Sequence, residues 1–126
     1  MISLNTMEKK HLRAKGNFFE SIAVQYLQEK NFEILYRNFY IQHGEADIIA
    51  KENSTLVFVE VKARTNNKFG APEESITLKK QNSLRRVADI FILQHPELQF
   101  TECRFDVIAI DYQNHKTTIR HFIDAF

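Results

Sequence analysis

With 126 residues, 44% of them hydrophobic, and a net charge of +1, the chain has length for one domain and material for one core. Three glycines, two prolines and the lack of any repeat exclude a linker-rich or solenoid chain, so one domain over residues 1–126 is expected, with residues 1–6 disordered. No run approaches the ~20 apolar residues of a membrane helix, the start lacks a secretory apolar stretch, and the lone Cys103 offers neither an internal disulfide nor a zinc set, so a reduced, soluble, cytoplasmic protein without a membrane partner is expected.

The first helix is expected over Met7–Lys30, where Phe18, Ile22 and Tyr26 form one row at four-residue spacing and Phe19, Ala23 and Leu27 the neighbouring row. Phe32–Ile41, rich in aromatic and β-branched residues, reads as a strand, and after the His43-Gly44 break Glu45–Lys51 reads as a second. Glu52-Asn-Ser54 is turn chemistry. Thr55–Arg64 is apolar on both faces for its first half, as in a central strand covered on both sides. A polar loop, Thr65–Pro72, leads to a second helix from a Thr77 cap to Leu93, with Leu84, Val87, Ala88 and Phe91 as its buried stripe. Arg104–Tyr112 and Thr117–Ile123 complete the pattern as two strands around the Gln113–Lys116 turn. The order α-β-β-β-α-β-β is that of an α/β protein with one mixed sheet flanked by helices.

Chemistry concentrates at the end of the central strand. Side chains alternate across a strand, so Glu60 and Lys62 share a face with Phe58 and Arg64. If Asn53-Ser54 is a two-residue turn, Asp47 lies directly opposite Glu60, and Glu45 opposite Lys62; a three-residue loop would instead place Asp47 opposite Val59. Opposed side chains have Cβ atoms about 5 Å apart, and two carboxylates at that separation repel by ~3 kcal/mol at an effective dielectric near 20. Such a pair is tolerated when a cation sits between, and an oxygen-rich set suits Mg²⁺ or Mn²⁺. Glu20 borders the apolar rows of the first helix; a third oxygen ligand and a boundary glutamate with its head in water both fit that pattern. Lys62 beside the metal would hold or deprotonate the attacking water and neutralise charge developing on a phosphate.

An E-x-K triplet alone occurs in about every second chain of this length. The longer ordered string is far more specific. Gly44-Glu-Ala-Asp-Ile-Ile-Ala50, Leu56-Val-Phe-Val-Glu-Val-Lys-Ala-Arg64, Phe69-Gly70, Lys80 and Arg104-Phe-Asp-Val-Ile108, down to the closing Ala125-Phe126, resemble the YraN-like family of small bacterial proteins. That family is similar in fold to the archaeal Holliday-junction resolvases, within the PD-(D/E)xK nucleases. The resemblance implies a restriction-endonuclease-like core, and position by position Glu20, Asp47, Glu60 and Lys62 match that fold's catalytic pattern. Resolvases act as dimers because a junction has two symmetric strands to cut, so a homodimer follows by the same analogy.

Basic residues gather at Lys9, Lys10, His11, Arg13 and Lys15, at Lys62, Arg64 and Lys68, and at Lys79, Lys80, Arg85 and Arg86. Lys79 and Lys80 fall in the first turn of the second helix, where the dipole disfavours cations and a bound phosphate would compensate. The loop after Arg64, with Lys68, follows the E-x-K end directly and could track a nucleic-acid backbone. Arg104 and Asp106 share a strand face and read as a simple ion pair, and the five His residues as structural or solvent-facing. The expected function is metal-dependent hydrolysis of DNA phosphodiester bonds, including branched or damaged DNA. The alternative is a non-cleaving nucleic-acid-binding protein, or a scaffold partner in DNA processing, that keeps the nuclease fold.

Overall fold

A strand with apolar side chains on both faces must be covered on both sides, and Thr55–Arg64 is that strand. The computed structural model describes residues 2–65 and 76–126, with side chains from residue 16 onward. Its five-stranded sheet is formed by β1 (Glu33–Ile41), β2 (Gly44–Glu52), β3 (Thr55–Arg64), β4 (Glu102–Gln113) and β5 (Lys116–Phe122), in that spatial order. β3 and β4 are parallel and every other neighbouring pair is antiparallel. The helices are α1 (Ile2–Glu29), which starts ahead of the Met7 expected, and α2 (Leu78–Gln94). The order is α-β-β-β-α-β-β, as the sequence pattern requires.

Two cores result, one on each face of the sheet. Val57 and Val59 pack with Phe19, Ala23 and Leu27 of α1, while Leu56 and Phe58 pack with Leu84, Val87, Ala88 and Phe91 of α2. The α2 stripe is the one read from periodicity. In α1 the Phe19–Ala23–Leu27 row is buried, and of the neighbouring row Ile22 and Tyr26 pack half-buried against the same core while Phe18 is exposed.

Caps and turns hold these elements in place. Thr77 caps α2, its hydroxyl accepting from Lys80 N at 3.1 Å. The β1–β2 turn is tied to α2 because Arg86 and the Ser83 hydroxyl donate to the His43 carbonyl at 2.8 and 3.3 Å. Gly44 permits that approach: a Cβ there would stand 3.0 Å from Ser83 Oγ and 3.1 Å from Val87 Cγ2. Asp106, fully buried in β4, pairs with Arg104 at 2.8 Å, as expected, and also meets His121 Nε2 at 2.7 Å and the Asp124 N–H at 3.0 Å. Burial pushes this carboxyl up, but the hydrogen bonds from His121, Arg104 and Asp124 outweigh it and the net shift is downward. The group is a structural anion that pins the C-terminal segment to the sheet.

Candidate active site

The β2–β3 hairpin has the register deduced from a two-residue turn, with Glu52 paired to Thr55 and Ile48 to Val59. The direct opposition of Asp47 and Glu60 needs correction, because backbone pairing ends at Ile48 and Val59. Beyond that point the Asp47 carboxylate takes over, accepting the Val61 N–H at 2.8 Å through Oδ2. The two strands part there, and a carboxylate fills the place of a ladder bond. Glu45, expected opposite Lys62, is paired to Tyr40 of β1.

Under α1 the gap opens into a concavity of about 240 Å³ whose lining includes Glu20, Asn38, Tyr40, Glu45, Asp47 and Val61. Glu20 is buried, with Oε1 accepting from Arg37 Nε and Asn38 Nδ2, both at 3.0 Å. Glu20 thus sits beside Asp47 with defined partners; the reading of a carboxylate head in water does not hold. Arg37 and Asn38 escaped the sequence reading, although two adjacent polar residues inside an otherwise aromatic and β-branched strand were a signal. Glu45 was placed but given no role.

Glu60 lies on the α2 side of β3, outside the lining of that concavity but near enough to feel the charge of Asp47. It is 4% exposed, and its oxygens face Lys62 Nζ at 3.8 Å and Lys80 Nζ at 3.6 Å. Both are ion pairs too long for hydrogen bonds. Glu60 Oε2 has no hydrogen-bond partner among the described residues. Burial, and then the charge of Asp47, push the Glu60 carboxyl from an ordinary 4.5 up to about 7, against the pull of the two lysines. Burial likewise pushes Asp47 from 3.8 to about 6, with Glu45 and Glu20 adding to it and the Val61 N–H opposing. Among the described residues the counter-ions of Glu60 are two partly exposed lysines at long range, which compensate a buried carboxylate incompletely.

Lys80 is therefore a direct partner of Glu60. Lys79 is exposed and, with His43, Ser83 and Arg86, lines a larger concavity of about 870 Å³ at the start of α2. Arg64 ends β3 and is partly buried. Lys68 and the Thr65–Pro72 loop beyond residue 65 lie outside the described residues, as do the side chains of the Lys9–Lys15 cluster.

Among the described residues no three His, Cys, Asp or Glu side chains stand ready to enclose an ion by themselves. Two carboxylates with one orphaned oxygen do fit an ion that keeps part of its water shell, as Mg²⁺ does when carboxylates and substrate phosphates share its coordination.

Among the described residues no helix is long and apolar enough to cross a membrane. A family model described as “Uncharacterised protein family UPF0102” matches residues 19–110, a span that includes Glu20, Asp47, Glu60 and Lys62. The chain is 40% identical to a UPF0102 protein of Syntrophomonas wolfei, over 90% of this chain and 98% of the relative. It is 46% identical to one of Caldicellulosiruptor bescii, over 92% and 99%, and 48% identical to one of Caldicellulosiruptor saccharolyticus, over 85% and 89%.

Proposed function

The chain belongs to the UPF0102 family, the YraN-like proteins its motifs resemble, and we propose that it hydrolyses phosphodiester bonds of DNA with a divalent metal, on a restriction-endonuclease-like version of its α/β fold. One observation carries the reading. At the point where β2 and β3 part, Asp47 accepts the Val61 N–H and its charge acts on the buried Glu60, an oxygen of which lacks a hydrogen-bond partner among the described residues. A packing role gives no reason to hold two carboxylates there at such cost.

Asp47 and Glu60 would hold Mg²⁺ or Mn²⁺, with Glu20, directly or through water, as a third oxygen donor from α1. When bound, the ion supplies activation of water and a clamp on phosphate oxygens. Lys62, at the edge of the gap and about one-third exposed, keeps its ammonium 3.8 Å from Glu60. From there it orients the attacking water and neutralises charge developing on the phosphate. Lys80 holds Glu60 from the α2 side, and its own first-turn position is explained by that carboxylate. Lys79, with Arg64 and Lys68, offers contacts to the DNA backbone that set position and carry no sequence information. Action on cellular DNA places the protein in the cytoplasm, and branched DNA, with its two symmetric strands, calls for a homodimer.

The test is cleavage of linear, single-stranded and four-way-junction DNA in Mg²⁺ or Mn²⁺ by the wild type, Asp47→Ala and Glu60→Ala. The reading requires cleavage by the wild type and a loss of 10²-fold or more, on the order of what metal and acid–base groups contribute, in both variants. Equal activity in all three would place the activity elsewhere. Binding without cleavage would move the chain to the non-cleaving alternative.

A further inference from the structure

We propose that Asn38 is the positioning residue of the acidic cleft. Its left-handed backbone, matched by a slip in the facing strand, turns Asp47 out of the strand's alternation, and its amide fixes Glu20 beside it. The functional meaning of this geometry rests on the nuclease reading above.

A regular strand sends every second side chain to the same face. β1 and β2 break that rule at the same level. In β1, Tyr36 and Phe39 both pack on Phe91 of α2, with ring centroids 5.4 and 5.1 Å away, although they are three residues apart. In β2, Ala46 and Ile49 both belong to the α2-side core, again three apart. The residues between them therefore turn consecutively toward α1. Arg37 and Asn38 both donate to Glu20, while Asp47 lines the cleft and Ile48 packs in the α1-side core.

The slips face each other. Arg37 pairs with Ile48 and Phe39 with Ala46, so Asn38 and Asp47 are the residues enclosed between these pairs. Slipping both strands together keeps the ladder in step from Tyr36 to Ile41, while the register shift that β1 does carry lies apart, between Ile34 and Tyr36. The backbone that permits it is Asn38, at φ 54, within a strand. Asn tolerates the left-handed region better than any other residue with a Cβ except Asp, and β-branched residues, otherwise favoured in strands, tolerate it worst. Backbone strain of this kind persists where surrounding contacts over-determine it, and it concentrates at functional sites. Without the slip, Asp47 would alternate with Ile48 and share the α2 side with Ile49, and its carboxylate would leave the cleft beside Glu20.

The prediction is read without any cleavage assay, by native-state amide hydrogen exchange in Asn38→Gly and Asn38→Ala. Glycine keeps access to positive φ and alanine resists it. In Asn38→Ala the Val61 amide, which donates to Asp47, exchanges roughly 5-fold or more faster relative to the other β3 amides, whereas Asn38→Gly stays close to wild type. A role confined to global stability would speed all β3 amides together, and that result, or unchanged Val61 exchange in Asn38→Ala, overturns the proposal. Should Asn38→Ala not fold, Asn38→Gly decides: it keeps access to positive φ and loses the donor to Glu20, so Val61 protection is retained, and its loss overturns the proposal. Mn²⁺ titration of the same variants reads the consequence: affinity falls about 10-fold in Asn38→Ala and less in Asn38→Gly, which keeps Asp47 in place but loses the amide on Glu20. If the wild type cuts no DNA, the nuclease reading fails while the exchange result still decides the role of Asn38.

Discussion

Replacing Glu60 by Gln should stabilise the metal-free protein at alkaline pH and do nothing for it in acid. The folded-state pKa of Glu60 is raised, so ionising it opposes folding. That penalty is absent below the ordinary value of 4.5, grows as pH rises, and is complete above about 7. At ~1.36 kcal/mol per pH unit between those two values, holding Glu60 ionised in the fold costs about 3 kcal/mol at pH 8. Gln keeps the shape and removes the charge. The attraction of Lys62 and Lys80 is already contained in that raised value and is not subtracted again. The net expectation is about 3 kcal/mol, or roughly 9–12 °C in Tm for a domain of this size. Thermal unfolding in chelator at pH 8 and pH 4.5 measures it. A variant no more stable than wild type at pH 8, or equally stabilised at both pH values, would refute the reasoning. Excess Mn²⁺ should reverse the order, because an ion held by Glu60 stabilises only the wild type, by RT ln(1 + [Mn²⁺]/Kd).

Asp106→Ala should destabilise by about 3–5 kcal/mol in urea unfolding, because it removes the buried acceptor of His121, of the Asp124 N–H and of Arg104, which keeps its pair with Glu52. The Asp106 carboxyl is held below its ordinary value, so its contribution is present above the ordinary pKa and is lost as pH falls through the folded one. Gly44→Ala should cost about 1–3 kcal/mol, since its Cβ meets Ser83 and Val87 at 3.0–3.1 Å and would push the β1–β2 turn off α2. Lys62→Met should leave unfolding free energy within about 1 kcal/mol of wild type, yet lower DNA cleavage 10²–10⁴-fold if the ammonium serves the reacting water.

The parts of this molecule set by short-range pattern were legible in the sequence. The α2 stripe at Leu84, Val87, Ala88 and Phe91 follows from helical periodicity, and the two-sided apolar run Leu56–Val59 marks the central strand. The hairpin register followed from a two-residue turn, with Asn53 supplying the left-handed φ of 53. The geometry of the cleft was not legible, because it depends on where alternation fails. The Ile48–Ile49 pair is compatible with either face, and nothing local says that Asp47 leaves the ladder to accept Val61 N–H. That outcome is fixed by contacts far apart in sequence, such as Arg37 and Asn38 on Glu20. Lys80 was readable as a cation out of place at a helix N-terminus, but its partner Glu60 emerges only when α2 is laid across the sheet.

The most direct test of the central claim is anomalous diffraction from a crystal soaked in Mn²⁺. The account predicts a peak in the gap between β2 and β3, within about 2.0–2.3 Å of carboxylate oxygens from both Asp47 and Glu60. Full-occupancy Mn²⁺ elsewhere on the molecule with none in that gap, or Glu60 still held only by Lys62 and Lys80 at saturating metal, would contradict it.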